Sequence, residues 1–334
     1  MNSKVSDKMR AGEVKLGVSL FSYSSVFYLG EKSLTDLLKK SKEAGAEGIE
    51  IVASQMIPGY PYPSREWLRS FRDECEQLGL EPFCYSAHLD SGLRSDRWLT
   101  EEEKVLCTVN DLRCAKDMGA SVVRTQQTIS PKLMYEIAPW AERYGIKVGV
   151  EIHPPHTLST DVWQEFIRVF EDIDSPYVGI VMDLGIYQEY PYDGWINVYA
   201  SHGVSQATIA FLLSALKEGQ PLAEVLAVLE KQNASEYARE MAQEMFALYR
   251  PYRPDQLADV MKYITHFHTK FYHMKNGEEE TIPYRQILQI IKETGFSGYL
   301  ISEYEGHYVY DEQTVSCFDQ VREHIAMERR LLNA

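Results

Sequence analysis

Two hydrophobic patterns alternate along the chain. In one, apolar residues recur three and four positions apart, the spacing of a single helix face. In the other, short runs are apolar with little polar alternation. The junction between them repeats as KEAGAEGIEIV, EQLGLEPFCY, KDMGASVVRT, ERYGIKVGVE and KETGFSGYLI, with Gly45, Gly79, Gly119, Gly145 and Gly295 at the turning point. Glycine just past a helix supplies the left-handed conformation that closes its last turn. The unalternating runs that follow suit parallel strands covered on both faces.

Walking the chain predicts strands over about 15–21, 48–52, 81–87, 121–125, 147–152, 177–182, 265–272 and 298–303. Helices fall between them. The first opens at Ser33, a good N-cap. The second, about 65–78, follows a Pro- and Tyr-rich loop, MIPGYPYPS. The third opens with Thr100 followed by Glu101, Glu102 and Glu103, a capping box with acids at the positive end of the helix dipole. The fourth opens at Ser130 with Pro131 in the first helical position. Others cover about 162–172, 284–293 and 312–332. Eight β-then-α units predict a closed (β/α)8 TIM barrel, a single domain over 1–334. An open doubly wound sheet is the alternative, and no GxGxxG follows any strand to favour it.

One segment breaks the rhythm. About eighty residues separate strands 6 and 7, where an ordinary unit needs about thirty. Within this helical insertion, about 186–258, the stretches 207–216, 223–230 and 236–248 read as amphipathic helices, with Ile209, Leu212, Leu213 and Leu216 at helical spacing. Loops after strands emerge on the catalytic face of such a barrel. The insertion is therefore either a lid or a docking surface for another chain.

Composition narrows the partners. The 334 residues carry 34 Lys+Arg and 49 Asp+Glu, a formal charge of −15. That disfavours nucleic acid and anionic membrane surfaces, both of which need basic faces. The first residues, MNSKVSDKMR, contain no apolar leader, and no uncharged run is long enough to span a bilayer, so a cytoplasmic protein is expected. Five cysteines without a CxxC pair read as reduced core thiols rather than a disulfide framework or zinc knuckle.

In this architecture the chemistry sits at the C-terminal ends of strands. Those ends supply His88 and Asp90 (strand 3), Arg124 and Gln126 (strand 4), and Glu151 and His153 (strand 5). Asp183 ends strand 6. Strand 7 carries His266, His268, Lys270 and His273, and strand 8 leads into Glu303, Glu305 and His307. Charges within apolar strands are costly unless paired or bound to metal. A carboxylate-rich set with one or two imidazoles suits Mn2+, Mg2+ or Co2+, with Zn2+ also possible. Each residue has a bland reading: Glu151 as partner to a buried base, Asp183 as a turn cap, His268 as a core histidine. His153 is either a ligand, a supporting residue or an acid/base group. His88, Arg124, Gln126 and Glu305 are candidates for substrate binding or simply structural.

On these residues the chain resembles the sugar phosphate isomerase/epimerase, or xylose isomerase-like, barrels. The resemblance covers nearly the whole chain, from GVSLFSY to ISEYEG. It implies metal ligands Glu151 in VEIH, Asp183 in VMDLG, His268 in HFHTK and Glu303 in SEYEG, with Lys270 contacting substrate. A branch of that superfamily repairs DNA with three zinc ions and a basic face, which the net charge argues against. The long insertion and the HFHTKFYHM strand resemble, more narrowly, the α subunits of bacterial C-glycoside deglycosidases. This implies a Mn2+-dependent lyase that pairs with a small β subunit in an oligomer. It would cleave the C–C bond between a 3-oxo sugar and an aromatic aglycone.

The shared first step of isomerisation, epimerisation and β-elimination is loss of a proton beside a carbonyl. For the lyase, His153 is the expected base, and Lys270 would stabilise oxyanion charge. A ketose 3-epimerase or sugar isomerase would instead use Glu151 and Glu303 on the two sides of the reacting carbon. A non-catalytic sugar-binding or scaffold subunit is a further alternative. Tyr60, Tyr62 and Trp98 could stack on a sugar or flat aglycone, or be ordinary loop aromatics.

Overall fold

The protein is described here by a computed structural model covering residues 13–249 and 254–334. The N-terminal decapeptide and residues 250–253 of the insertion lie outside the described residues. Eight strands form one closed parallel ring: β1 (Val14–Ser19), β2 (Gly48–Val52), β3 (Glu81–Ser86), β4 (Val122–Thr125), β5 (Lys147–Ile152), β6 (Val178–Asp183), β7 (Ile264–Phe271) and β8 (Gly298–Tyr304). Each pairs with its chain neighbours, and β8 pairs with β1 to close the barrel.

Helices α1 (Leu34–Ala44), α2 (Arg65–Gln77), α3 (Glu101–Met118), α4 (Met134–Tyr144) and α5 (Asp161–Ile173) follow the first five strands. Their apolar faces pack on the outer faces of the strands in one continuous core. The five junction glycines all have positive φ, as their place after each helix requires. Ser33 and Thr100 form the reciprocal capping boxes expected of them. Ser130 does not cap: Pro131–Leu133 form a 3-10 turn before α4, and the Ser130 hydroxyl reaches Glu101 instead.

Among the described residues, the insertion holds four helices of nine residues or more, α6 (Asp193–Ser201), α7 (Gln206–Lys217), α8 (Leu222–Lys231) and α9 (Glu236–Leu248). The first had no clear periodicity in the sequence. They share a second apolar cluster, separate from the barrel core, that includes Ile209, Leu212, Val225, Leu229, Met241 and Met245. The N-terminus of α6 is anchored to the barrel rim. Asp193 pairs with His273 at 2.9 Å and Lys275 at 2.7 Å, and accepts a hydrogen bond from the Tyr310 hydroxyl. Tyr192 stacks on Tyr272 with ring centroids 4.6 Å apart.

After β8, the helix expected from 312 begins five residues later, as α11 (Cys317–Leu332), following α10 (Tyr284–Thr294). Glu312 stays outside, and its carboxylate accepts from the Cys317 N–H at 2.9 Å. It thereby satisfies a backbone donor that the first helical turn cannot. All five cysteines are unpaired, four of them buried. No described helix is long and apolar enough to cross a membrane.

The interior of the barrel changes character along its axis. At the N-terminal end it is apolar, filled by Phe83, Tyr299 and Ile301. Next comes a layer containing Glu50 and His266, the latter edge-on to Phe83 at 5.2 Å. Above it lie His268, Glu151, Asp183, Lys270 and Glu303, all buried. At the N-terminal end of β6, Gly179 lets the chain entering β7 come close: a Cβ there would stand 2.1 Å from the Tyr263 carbonyl oxygen. The β6–β7 register shifts between Ile180 and Val181, and the new register places Asp183 beside His268.

Candidate active site

Period-2 geometry turns His266, His268 and Lys270 of β7 to the barrel interior. Pairing with β8 sets Glu303 beside Lys270, and pairing with β6 sets Asp183 beside His268. The structure therefore gathers the four residues proposed as ligands. Glu151, Asp183 and Glu303 each present a carboxylate oxygen, all within 4.8 Å of one another. His268 Nδ1 lies 2.7 Å from Glu151 Oε1 and 3.3 Å from Glu303 Oε2.

Lys270 reaches into the same group. Its Nζ donates to Glu305 Oε1 at 2.7 Å and stands 2.8 Å from Asp183 Oδ2 and 3.3 Å from Glu303 Oε2. Arg124 Nη2 pairs with Glu151, while Nη1 donates to Ser86 Oγ at 3.0 Å. These cations set the charge balance of a water-poor site. Burial opposes the charged form of each group. Lys270 is nevertheless held well above the usual lysine range by Asp183, Glu305 and Glu303. His268 is raised by Glu303, Glu50 and Glu151. Burial would raise Glu151 too, but Arg124 and His268 hold it well below the usual carboxylate range. At Asp183 burial wins, and its carboxyl is pushed up to about 6.

One residue escaped the sequence reading. Glu50, in the middle of β2, is fully buried and its Oε2 accepts from Nε2 of both His268 (2.9 Å) and His266 (3.2 Å). Burial works to raise it, yet the two imidazoles, His268 foremost, hold it well below the carboxylate range. The available signal was the one used for Glu151: a carboxylate within the apolar run GIEIV. Cys84, expected to stand apart from the polar set, also lies here, its sulfur within 4.8 Å of ligand atoms of Glu50 and His266. Burial raises its thiol well above the usual range.

These residues suit a divalent cation. Three carboxylates and one imidazole form a hard-to-borderline donor set. Asp183 Oδ1 accepts from the Gly185 N–H at 2.7 Å, whereas the buried Oδ2 faces the Lys270 ammonium at 2.8 Å, so this oxygen already stands against a cation. Glu50 occupies the far ring nitrogen of His268, which is how carboxylates orient metal-binding imidazoles. Glu151, Asp183, His268 and Glu303 are the residues that could hold such an ion.

Above this group opens a cavity of about 330 Å3, lined by Glu151, Lys270, Glu303, Glu305, Arg124, Gln126, His88 and His153 among others. His153 Nδ1 donates to the Pro154 carbonyl at 2.7 Å, so in the neutral ring Nε2 carries the lone pair. His88 Nδ1 donates to Gln126 Oε1 at 2.8 Å. No residue of α6 to α9 lines the cavity. Tyr60 and Tyr62 line a neighbouring cavity, whereas Trp98 is exposed and lines neither.

Comparison with known proteins places the fold. The family described as "Xylose isomerase-like TIM barrel" matches residues 38–325. The 3'-dehydrocarminate deglycosidase alpha subunit of a Microbacterium species is 27% identical over 307 residues, covering 87% of this chain and 88% of the relative. The C-glycoside deglycosidase alpha subunit of Microbacterium trichothecenolyticum is 25% identical, covering 95% and 90%. Among solved structures, D-psicose 3-epimerase with D-tagatose from Clostridium cellulolyticum H10 shares the fold at a TM-score of 0.59 and 12% identity, covering 95% of this chain and 99% of that one.

Proposed function

The chain belongs to the xylose isomerase-like TIM barrel family, and on that premise we propose that it is the α subunit of a C-glycoside deglycosidase, a metal-dependent lyase acting on 3-oxo-C-glycosides. The observation that carries the reading is a buried set of three carboxylates and an imidazole below a polar cavity, in a chain whose relatives of that name match over nearly its full length.

A cation held by Glu151, Asp183, His268 and Glu303, most suitably Mn2+, would supply Lewis acidity toward a sugar carbonyl. The residues of the chain would do the rest. His153 presents a basic Nε2 to the cavity and takes the C2 proton of the sugar. The C–H electrons form the C1=C2 double bond, the C1–aryl bond breaks, and the aryl carbon takes up a proton. The products are an unsaturated 3-oxo sugar and the free aglycone. Lys270 and Arg124 place positive charge beside the oxygens on which negative charge grows. His88, Gln126 and Glu305 line the cavity with hydrogen-bonding groups for sugar hydroxyls.

A small β subunit fits the naming of the relatives as alpha subunits, and α6 to α9, none of whose residues lines the cavity, offer it a surface. The unpaired buried thiols support a reducing, cytoplasmic setting.

A second reading, ketose 3-epimerase, is favoured by the placement of Glu151 and Glu303 within one carboxylate cluster. Incubation of the chain, with and without its neighbouring reading frame's product, separates the two. With Mn2+, 3-oxo-C-glycosides should yield free aglycone. Interconversion of free ketoses at C3 by the chain alone, with C-glycosides left intact, would install the epimerase reading instead.

A further inference from the structure

Beside the polar cavity lies a second one of about 350 Å3, a size that suits a small organic ligand. The two meet at His88, which lines both. Their chemistry differs. The second is walled chiefly by Tyr60, Leu89, Leu93, Leu99 and Leu106, and Leu93 and Leu106 are unusually exposed for leucine. Tyr60 is fixed in place by donating its hydroxyl to the His88 carbonyl at 2.8 Å.

Asp90, Arg94, Glu103 and Asn110 also line it, each with a hydrogen-bond or ion-pair partner; one further polar group has none. Asp111 of α3 lines the cavity and is only 5% exposed. Among the described residues no hydrogen bond or ion pair reaches its carboxyl. Burial without a partner pushes it up to about 8. A buried polar group that lacks a hydrogen bond costs stability, and a leucine at this position would avoid that cost. What the carboxyl can still do is bind something in the cavity. In its protonated form it offers one donor and spare acceptor capacity.

The proposed reaction says what that something is, and the inference rests on that reading. The aryl carbon released from C1 must accept a proton, and a ring carbon is basic enough only when hydroxyl groups sit ortho or para to it. The leaving group is therefore a flat, hydroxylated aromatic, and it must lie next to the sugar. We propose that the cavity between Tyr60, Leu99 and Asp111 is the aglycone subsite, with the Asp111 carboxyl hydrogen-bonding a phenolic hydroxyl or ring carbonyl and the Tyr60 ring packing on the aromatic face.

The test uses the full chain and two probes, 5,7,3′,4′-tetrahydroxyflavone and unsubstituted flavone, titrated into wild type, Asp111→Leu and Asp111→Asn. Wild type should bind the hydroxylated probe at least tenfold more tightly than flavone. Asp111→Leu should lose that preference through weaker binding of the hydroxylated probe alone, and should unfold at no lower a temperature than wild type. Asp111→Asn, nearly isosteric, should lie between. Equal affinity of wild type for both probes, or an unchanged preference in both variants, would overturn the subsite. Cleavage of a 3-oxo-C-glycoside is measured separately. If it proceeds with unchanged KM in Asp111→Leu, the subsite fails and the deglycosidase reading stands. If no cleavage occurs in any protein while the Asp111-dependent preference persists, the phenol site stands and the assigned reaction fails.

Discussion

Glu50 and His268, on strands that are not neighbours in the ring, are joined across the barrel interior: Nε2 of the imidazole lies 2.9 Å from Oε2 of the carboxylate. This leaves Nδ1 turned toward Glu151 and Glu303. Partners of this kind fix ring orientation, and their loss typically weakens metal affinity by about 10–100-fold. Glu50→Gln is expected to do the same for Mn2+, measured by competition with a chelator. An affinity equal to wild type would remove Glu50 from the site.

Asp183→Asn and Glu151→Gln should each lower the bound metal per chain. Turnover should fall with it by about a thousandfold, the equivalent of losing several kcal/mol of charge stabilisation. Metal analysis and rate are read on the same samples. Full activity in either variant after chelation would mean that the carboxylates serve structure alone.

Lys270 and a divalent cation should neutralise the same carboxylates. In metal-free protein, Lys270→Met leaves Asp183, Glu303 and Glu305 without their shared partner, and breaking a buried pair costs about 3–5 kcal/mol. Thermal unfolding in chelator should show a marked loss that shrinks when Mn2+ is added. A deficit of equal size in both conditions would argue against competition between the two cations.

His153→Gln removes the basic Nε2 while touching no proposed ligand. The rate of aglycone release should fall by about 10²–10⁴-fold, the usual worth of a general base, with metal content preserved. A loss of metal in step with rate would assign His153 to coordination.

Behind the site, Glu328 is buried beside His324 and accepts from Ser302 Oγ at 3.2 Å. Burial pushes its carboxyl up to about 8 and the His324 ring down to about 3. Between the unfolded value, about 4.3, and 8, the unfolded chain has released this proton and the folded one keeps it. Stability therefore falls as pH rises through that window, by up to about 5 kcal/mol for this group alone. Glu328→Gln should flatten that part of the profile in denaturant titrations at pH 5, 6.5 and 8. Parallel profiles would show that Glu328 is not protonated in the folded protein.

The barrel was legible because both of its signals are local. A glycine closes α1 to α4 and α10, as at Gly45 and Gly119, and an apolar run follows. Glu151, Asp183 and Glu303 were legible because each stands at or next to the end of a strand, and His268 because it alternates with His266 and Lys270 along β7. Glu50 and Asp111 were harder, for different reasons. Glu50 sits mid-strand, and its two imidazole partners are more than two hundred residues away. Asp111 lies on a helix rich in charge, where nothing in the spacing separates a buried carboxylate from solvated ones. The late start of α11 reflects a side chain, Glu312, doing the work of a helical turn from outside it. The low contrast of DGWINVYAS hid α6, which is fixed by Asp193 contacts together with Tyr199 and Trp195 in the insertion's apolar cluster.

The bond across the barrel has a consequence for how the chain could be divided. All four proposed ligands lie between residues 151 and 303, on the second half of the strands. A fragment starting at β5 would carry the full donor set, yet it would lack Glu50 to orient the imidazole, Arg124 to balance Glu151, and His88 at the junction of the cavities. The first half of the sequence thus supplies no ligand and still decides whether the ligands are usable, so the two halves are complementary parts of one centre rather than a working half and a supporting one.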